Sequence, residues 1–455
     1  MGFVLSILYF LTYYLTPTTI FGSLANYRVE LILALVVLVV SIPSLGGSSL
    51  GKTVQSLALV GLAAATFMSV LVGAHWPGGG WTAFLLFIPN AFAYYLVCLH
   101  FKSRMKLQVL VLLVLFVCLF VIGQGAAELH KGLPTSKQAH AMNMENFYFI
   151  GMNNDKDQWF YRLRGMGEIN DPNDFAQLIV SVLPLLFIFW RRKKFVRNFL
   201  FVLVPVGILL WGDFLTHSRG SILALLAVVI VAFRRRIGTV PSLILAGALF
   251  FGASALHFTG GREISASAGE DRTALWGDGL QLLKAHPIFG VGFGNMPDYV
   301  GKTAHNTIVV CAAELGLFGL YFWSLFLFPS VRDALAVASA NKAVEAKPIK
   351  VETAHYGYAP KKIDVPDREE INRIGRLLVL SFTGFLVAGW FLSRAYVMTL
   401  FILGGMTEVL FDMALKRGMI SPRMPFLRVV RYSGVMTIGL VLLMYIVLRI
   451  VNLTH

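Results

Sequence analysis

Long apolar segments alternate with short polar stretches along almost the whole 455-residue chain. A helix needs about 20 mostly apolar residues to cross the hydrocarbon core of a bilayer. The pattern predicts membrane spans at 3–20, 28–46, 54–74, 81–99, 107–124, 174–190, 198–214, 219–233, 239–256, 305–328, 376–393, 397–414 and 432–451. We therefore expect an all-α polytopic membrane protein. The expected number of transmembrane helices is 12–13, because Pro17 interrupts the first segment.

The composition agrees with this class, since 57% of the residues are hydrophobic and only 14% are charged. Most of the positive charge lies in alternate connections between the predicted spans. These are Lys102, Arg104 and Lys106, the RRKK at 191–194, the RRR at 234–236, and the segments 329–375 and 416–431. Lysine and arginine are retained in cytoplasmic loops, so these connections are predicted to be cytoplasmic. The formal net charge of +15 then reflects topology, and we expect no nucleic-acid partner.

This orientation divides the chain into transmembrane and loop regions. The predicted regions are N-terminal transmembrane helices at 1–124, a periplasmic loop at 125–173, transmembrane helices at 174–256, a large periplasmic loop at 257–304, a transmembrane helix at 305–328, a cytoplasmic loop at 329–375 and C-terminal transmembrane helices at 376–455. The first segment has neither a basic region nor a cleavage site, so we expect it to remain as an anchor. Cys98, Cys118 and Cys311 fall within predicted spans, where they are expected to pack as small apolar residues.

Several cationic side chains are exceptions to this orientation, because they fall on the predicted outer side. They are Arg164, Arg219, Arg262, Arg272 and His305. A guanidinium keeps its charge and offers paired donors that fit phosphate oxygens, so several arginines on one face suggest a diphosphate or another polyanion. The structural alternative is salt bridges to Asp171, Asp174, Asp213, Glu263 or Asp271.

His305 and Asn306 stand directly before an apolar segment. A short side chain such as that of asparagine caps a helix start well, whereas imidazole does so poorly, so the histidine is not needed for folding. Histidine ordinarily titrates near neutrality, which suits a general base for a hydroxyl group or a group that orients a substrate. An interfacial histidine without a role is the alternative.

The stretch RTALWGDGLQLLKAHP in the second outer loop predicts an amphipathic helix. Its apolar face contains Leu275, Trp276, Leu282 and Leu283. Two interpretations remain open: the helix lies on the membrane surface, or it packs against other residues of the loop. The following GVGFG at 290–294 has no strand before it, so turn-forming glycines are expected there rather than a dinucleotide site.

Four motifs together resemble a known family. DPNDFA and HSRGSILALL open two predicted spans, DRTALWGDGLQLLKAHPIFGVGFGN lies in the large outer loop, and AHNTIVVCAAELGLFGL opens the next span. In this order the motifs, which cover about 160–328, resemble the O-antigen ligase and O-antigen polymerase superfamily. Within this superfamily, the resemblance favours the lipopolysaccharide O-antigen ligases.

The resemblance implies a GT-C-type glycosyltransferase in the bacterial inner membrane, with its active site facing the periplasm. The donor would be an undecaprenyl-diphosphate-linked glycan and the acceptor a sugar hydroxyl of the lipid A core, within membrane lipids and without cofactor or metal. Family arginines that match Arg219 and Arg272 would hold the diphosphate, and the family histidine that matches His305 would be the general base. The further candidates for substrate binding are Arg164, Arg262, Asp174 and Asn306.

Other functions remain open at this point. A polymerase that extends the glycan and a ligase that attaches it to protein would use the same donor. A polytopic transporter is the non-enzyme alternative, because Glu314, Glu408 and Asp412 lie within predicted spans. Asp155 and Asp157 form an Asp-x-Asp outside the matching motifs, and Asp213 or Asp298 could act as a covalent nucleophile with retention of configuration.

Overall fold

The structure is a computed structural model that describes residues 1–20, 22–27, 29–46, 53–131, 147–153, 158–255, 266–340 and 365–453. The main helices are α1 (Gly2–Leu15), α2 (Val29–Leu45), α3 (Val54–Met68), α4 (Pro77–His100), α5 (Arg104–Lys131), α6 (Pro172–Val182), α7 (Val204–Thr216), α8 (Arg219–Ile237), α9 (Thr239–Ala255), α10 (Ala266–Ala285), α11 (Thr307–Ala338), α12 (Val365–Gly389), α13 (Met398–Lys416) and α14 (Phe426–Leu453). Short helical turns lie at Pro17–Ile20, Gly22–Tyr27, Ser69–Gly73, Gly167–Ile169, Leu183–Phe189, Phe195–Asn198, Phe199–Leu203 and Met296–Val300.

In the part of the chain that the structure describes, nine helical stretches are long and apolar enough to cross a membrane. They are Val54–Gly73, Pro77–His100, Arg104–Lys131, Pro172–Phe189, Phe195–Thr216, Thr307–Ala338, Asp367–Gly389, Met398–Lys416 and Phe426–Val451. The other predicted spans fall on the shorter apolar helices α1, α2 and α9 and on α8, which ends in three arginines. The all-α polytopic class is therefore confirmed, whereas the expected 12–13 crossings exceed these nine candidates.

A small β-hairpin lies between α5 and α6, in the first loop that is predicted to face outward, and the helical prediction did not include it. Strand β1 (Tyr148–Asn153) pairs antiparallel with β2 (Gln158–Leu163), with Tyr148 opposite Leu163. Both of these side chains are buried, and Leu163 fills the space beside Gly125 of α5. The aromatic and β-branched residues of the two strands suit a pleated surface, but the hairpin is short and its signal is weak beside the long apolar helices.

The helices group into two compact units, each assembled from separate parts of the chain. Unit 1 contains 1–47, 104–270 and 383–399, and unit 2 contains 48–103, 271–382 and 400–455. In unit 1, Gln177 of α6 donates a hydrogen bond to the Phe385 carbonyl at 3.1 Å. A Cβ added at Gly384 would lie 2.7 Å from Val180 Cγ1, so α6 and the end of α12 approach closely.

In unit 2, helix α11 packs along α3 and α14. Gly61 of α3 leaves room for the ring of Phe322, and the ring of Phe326 makes edge contacts with Tyr94 and Phe401 at 5.6 and 5.2 Å. Small and aromatic residues thus interlock along the helices, as is common in membrane bundles.

An ionic cluster in unit 2 pairs Glu408 and Asp412, two of the three intramembrane carboxylates that the sequence raised as transporter candidates. Arg423 contacts Glu408 at 2.8 Å, Asp412 at 3.2 Å and Asp333 at 3.3 Å. Gln55 donates a further hydrogen bond to Asp333 at 3.3 Å. Buried charges need such partners, so the cluster connects α3, α11 and α13 with the segment before α14.

Candidate functional site

His305 lies at the entrance to α11 in a left-handed backbone conformation, with φ at 49°. Such strain in a residue with a side chain costs about 1–3 kcal/mol and is concentrated at functional sites. Asn306 starts the helix, because its Oδ1 accepts hydrogen bonds from the backbone N–H groups of Ile308 and Val309 at 3.0 and 3.1 Å. The cap expected at Asn306 is therefore present, and His305 is not needed to begin the helix.

Asn306 is fully buried, and its carboxamide oxygen is engaged by the first turn of α11. The structure thus gives Asn306 a clear role in fixing the backbone next to His305. Its direct contact with a substrate stays a prediction. His305 itself is partly exposed.

Trp276 of α10 contacts the backbone immediately before His305. The side chain is 6% exposed, and its Nε1 donates a hydrogen bond to the Ala304 carbonyl at 2.8 Å. Arg272 precedes Trp276 by four residues, so the two side chains lie on the same face of α10. The structure therefore brings Arg272 and His305, which are far apart in the sequence, to neighbouring places in unit 2.

Helix α10 packs against the beginning of α11, which favours packing against protein among the two interpretations of the amphipathic pattern. Gly279 has no room for a Cβ because the side chain of Val309 occupies that space, and Trp276 and Leu283 on the same face are buried. On this face Trp276 and Leu283 are thus covered by protein, whereas Leu275 and Leu282 are partly exposed. The prediction of the helix is confirmed, and its packing supports the interpretation in which the helix contacts protein.

The segment after α10 pairs with a break in α11. Helix α11 is non-helical at Gly316, where φ is 65°. Beside this break, Val291 N–H donates to the Ala313 carbonyl at 2.9 Å, and Leu317 N–H donates to the Pro287 carbonyl at 2.8 Å. The break frees backbone groups that a regular helix would use internally, and the segment 287–292 satisfies them.

The glycines of GVGFG form turns, as predicted, with φ of 67° at Gly290, 110° at Gly292 and 78° at Gly294. Glu314, which is 4% exposed, accepts hydrogen bonds from the backbone N–H groups of Gly294 and Met296. Glu314 and Gly316 thus both hold the glycine segment against α11.

A second group of candidate residues lies in unit 1, around Asp174. Asp174 is in the first turn of α6, is 7% exposed, and forms an ion pair with Arg394. Burial alone would lower the pKa of Arg394, but the carboxylate of Asp174, together with those of Glu168 and Asp171, raises that pKa. Sequence reasoning missed Arg394, although it carries the same signal as Arg219: an arginine in a short connection that is predicted to face outward.

Arg219 is the first residue of α8 and follows His217, whose φ of 49° is also left-handed. A Cβ added at the next residue, Gly220, would lie 3.1 Å from Phe391 Cβ. The connection that carries Arg394 therefore passes beside the start of α8. Arg219 and the Asp174–Arg394 pair thus belong to the same region of unit 1.

Arg162 connects the end of α7 with the start of α6 in this region, although the sequence did not single it out. Its Nε donates to the Thr216 carbonyl at 2.8 Å, and its NH2 group donates to Asn173 Oδ1 at 2.7 Å. Arg164, two residues further on, is 7% exposed, and its backbone N–H bonds the Phe147 carbonyl at 2.9 Å. Burial lowers the pKa of Arg164, against the opposing effect of Asp171 and Glu128.

Some predicted residues do not join these groups. Arg262 and the Asp155–Asp157 pair lie outside the described residues. Asp213 is fully buried in α7, and Asp298 is exposed in the short helix Met296–Val300. Within the described ranges, no group of three or more histidine, cysteine, aspartate or glutamate side chains could hold a metal ion. Metal independence itself stays a prediction.

Comparison with known proteins supports the resemblance that the motifs suggested. No curated protein matches the chain. Residues 205–324 match the family model described as O-antigen ligase, and this segment contains Arg219, Arg272, His305 and Asn306. Arg164, Asp174 and Arg394 lie outside it. Residues 205–324 are thus similar to the O-antigen ligase family, and this match supports the O-antigen ligase superfamily for the chain.

Proposed function

We propose that this protein is a GT-C-type membrane glycosyltransferase that works on the periplasmic face of the bacterial inner membrane. It transfers a glycan from undecaprenyl diphosphate to a sugar hydroxyl of the lipid A core. The observation that carries the proposal is the strained, partly exposed His305, fixed by its neighbours beside the helix that bears Arg272. The O-antigen ligase match over 205–324 supports a ligase-type or polymerase-type membrane enzyme in general.

In the proposed reaction, the acceptor hydroxyl oxygen attacks the anomeric carbon of the donor glycan while His305 accepts the hydroxyl proton. The bond from the anomeric carbon to the phosphate oxygen breaks, and undecaprenyl diphosphate leaves with the bonding electrons. Arg272 stabilises the negative charge on the leaving group. Charge-assisted hydrogen bonds of this kind contribute about 1.5–3 kcal/mol each, and fixed donors act most strongly where water is excluded.

Phosphate binding by residues of unit 1 is a separate assignment, which follows from the motif resemblance and from contacts within that unit. Arg219 at the start of α8 binds phosphate through its paired N–H groups. Arg164 and Arg394 provide further positive charge, and Asp174 holds Arg394 in place. These assignments rest on contacts within unit 1, so each can be tested independently of His305.

A single displacement inverts the anomeric configuration, and we propose this outcome. Retention would require a carboxylate nucleophile at the anomeric carbon. Asp213, one of the two candidates raised by the sequence, is fully buried between helices of unit 1. This burial favours direct attack by the acceptor over a covalent intermediate on Asp213.

The decisive experiment combines purified protein, lipid-linked glycan and candidate acceptors, with product mass and anomeric configuration as readouts. We expect His305→Ala to reduce transfer by about 10²–10⁴-fold, the usual effect of losing a general base, while donor binding persists. Lys302→Ala is the matched control, because Lys302 is exposed only three residues away. Unchanged turnover of His305→Ala, or retained configuration, would remove His305 from the mechanism.

The same assay separates the remaining functions. Transfer to a growing glycan or to a protein, but not to lipid A core, would indicate a polymerase or a protein ligase. Absence of any covalent product, with movement of the lipid-linked glycan across the membrane, would indicate a transporter. We expect EDTA to leave glycan transfer intact. Loss of transfer in EDTA, with recovery on adding magnesium, would indicate that Asp155 and Asp157 bind a metal ion needed for the reaction.

A further inference from the structure

We propose that Trp276 is a positioning residue that holds His305 in its reactive orientation. This inference rests on the proposed function, since it assigns a task in the transfer reaction to a residue that does not touch the substrate. Trp276 acts through one hydrogen bond, from its indole Nε1 to the Ala304 carbonyl, at 2.8 Å.

The hydrogen bond acts on the backbone that determines where the imidazole lies. The Ala304 carbonyl belongs to the same planar peptide group as the His305 nitrogen, so anchoring that oxygen restricts rotation about the φ of His305. On the other side of His305, the cap formed by Asn306 fixes the first turn of α11. The left-handed φ of 49° is thus held from both sides, as a strained conformation requires to persist.

The same contact sets the relation between the two proposed catalytic groups in unit 2. Trp276 and Arg272 are one turn apart on α10, and Trp276 bonds to the residue before His305. The close approach of Gly279 to Val309 forms a second contact between α10 and α11. Packing at Gly279 can keep the helices together without the indole, but it does not define the peptide plane at His305.

Trp276→Phe tests the hydrogen bond, because it retains a buried aromatic ring and removes the N–H donor. A displacement of about 1 Å at a reacting group can cost 10²-fold in rate. We expect kcat to fall by about 10–100-fold with KM for the lipid-linked donor changed less than about twofold. A purely structural role would instead lower the amount of folded enzyme and leave kcat per folded molecule unchanged.

Trp323→Phe is the matched control. Trp323 is 2% exposed and lies further along α11 in the same unit, so the same chemical change occurs there without affecting Ala304. We expect its kcat to remain within about twofold of the wild type. An equal loss of kcat in both variants would show a general packing effect and overturn the proposal.

A second variant keeps the test valid if Trp276→Phe does not fold. Replacement of Trp276 by benzothienylalanine, introduced as an unnatural amino acid, preserves the shape of the indole but not its N–H group. Normal kcat in this variant would overturn the positioning role. If His305→Ala is inactive while both Trp276 variants have normal kcat, only the inference about Trp276 fails. If His305→Ala has normal turnover, the proposed function of the site fails first.

Discussion

Asp174 and Arg394 form an ion pair in the region of unit 1 that also contains Arg219. Arg394 lies in the connection between α12 and α13, and Asp174 lies in the first turn of α6. An aspartate in the first turn is favoured by the helix dipole, so the carboxylate is well placed to hold a guanidinium. Neither this partnership nor the bond of Trp276 can be inferred from sequence spacing, because both join distant segments.

We predict that Asp174→Asn destabilises the protein by about 1–3 kcal/mol, because it leaves the Arg394 guanidinium without its anionic partner. The double variant Asp174→Asn with Arg394→Gln should recover part of this loss, since neither charge then remains. Thermal unfolding of the detergent-purified protein measures both effects. Glu369→Gln is the control, because Glu369 is exposed. Strictly additive losses in the double variant would show that the two residues do not act as a pair.

At the level of elements, most helices follow from the sequence because the bilayer demands long apolar runs with their backbone hydrogen bonds satisfied internally. The features that the apolar pattern did not reveal are local departures from that rule. The hairpin β1–β2 depends on packing against α5, and the break at Gly316 depends on the segment 287–292. In both cases the decisive contact comes from outside the element itself.

The break in α11 gives a sharp prediction about glycine. Gly316 has a φ of 65°, and a Cβ added there would collide with the backbone at Ile288. We therefore expect Gly316→Ala to destabilise unit 2 strongly, by more than about 3 kcal/mol, because both the strain and the collision must be relieved by moving backbone. Folding yield and thermal unfolding are the measurements.

Gly439→Ala is the matched control for this prediction. Gly439 lies in α14 of the same unit, and a Cβ added there would meet no atom within 4 Å. Alanine favours a regular helix by up to about 1 kcal/mol over glycine, so this variant should be as stable as the wild type or slightly more stable. Equal tolerance of alanine at both positions would contradict the backbone pairing at Gly316.

For the whole molecule, the composition indicates an integral membrane protein, and the lysine and arginine clusters predict its orientation in the membrane. The pattern cannot show how far apart two loop residues lie in space. Arg219 belongs to unit 1, whereas Arg272 and His305 belong to unit 2. Their assignment to one side of the membrane therefore rests on topology, and every proposed role in the periplasm depends on that orientation.

The orientation can be tested with cysteines at the two ends of α11, using a membrane-impermeant thiol reagent on intact spheroplasts. At about 1.5 Å per residue, the 32 residues of this helix are long enough to span the bilayer core of about 30 Å. Lys302 and Ser339 are exposed near its opposite ends, and the native cysteines are buried, so background labelling should be low. We expect Lys302→Cys to react at once and Ser339→Cys to react only after permeabilisation, because the first lies in the predicted periplasmic loop. The reverse pattern would place His305 in the cytoplasm, where an acceptor on the outer face could not reach it.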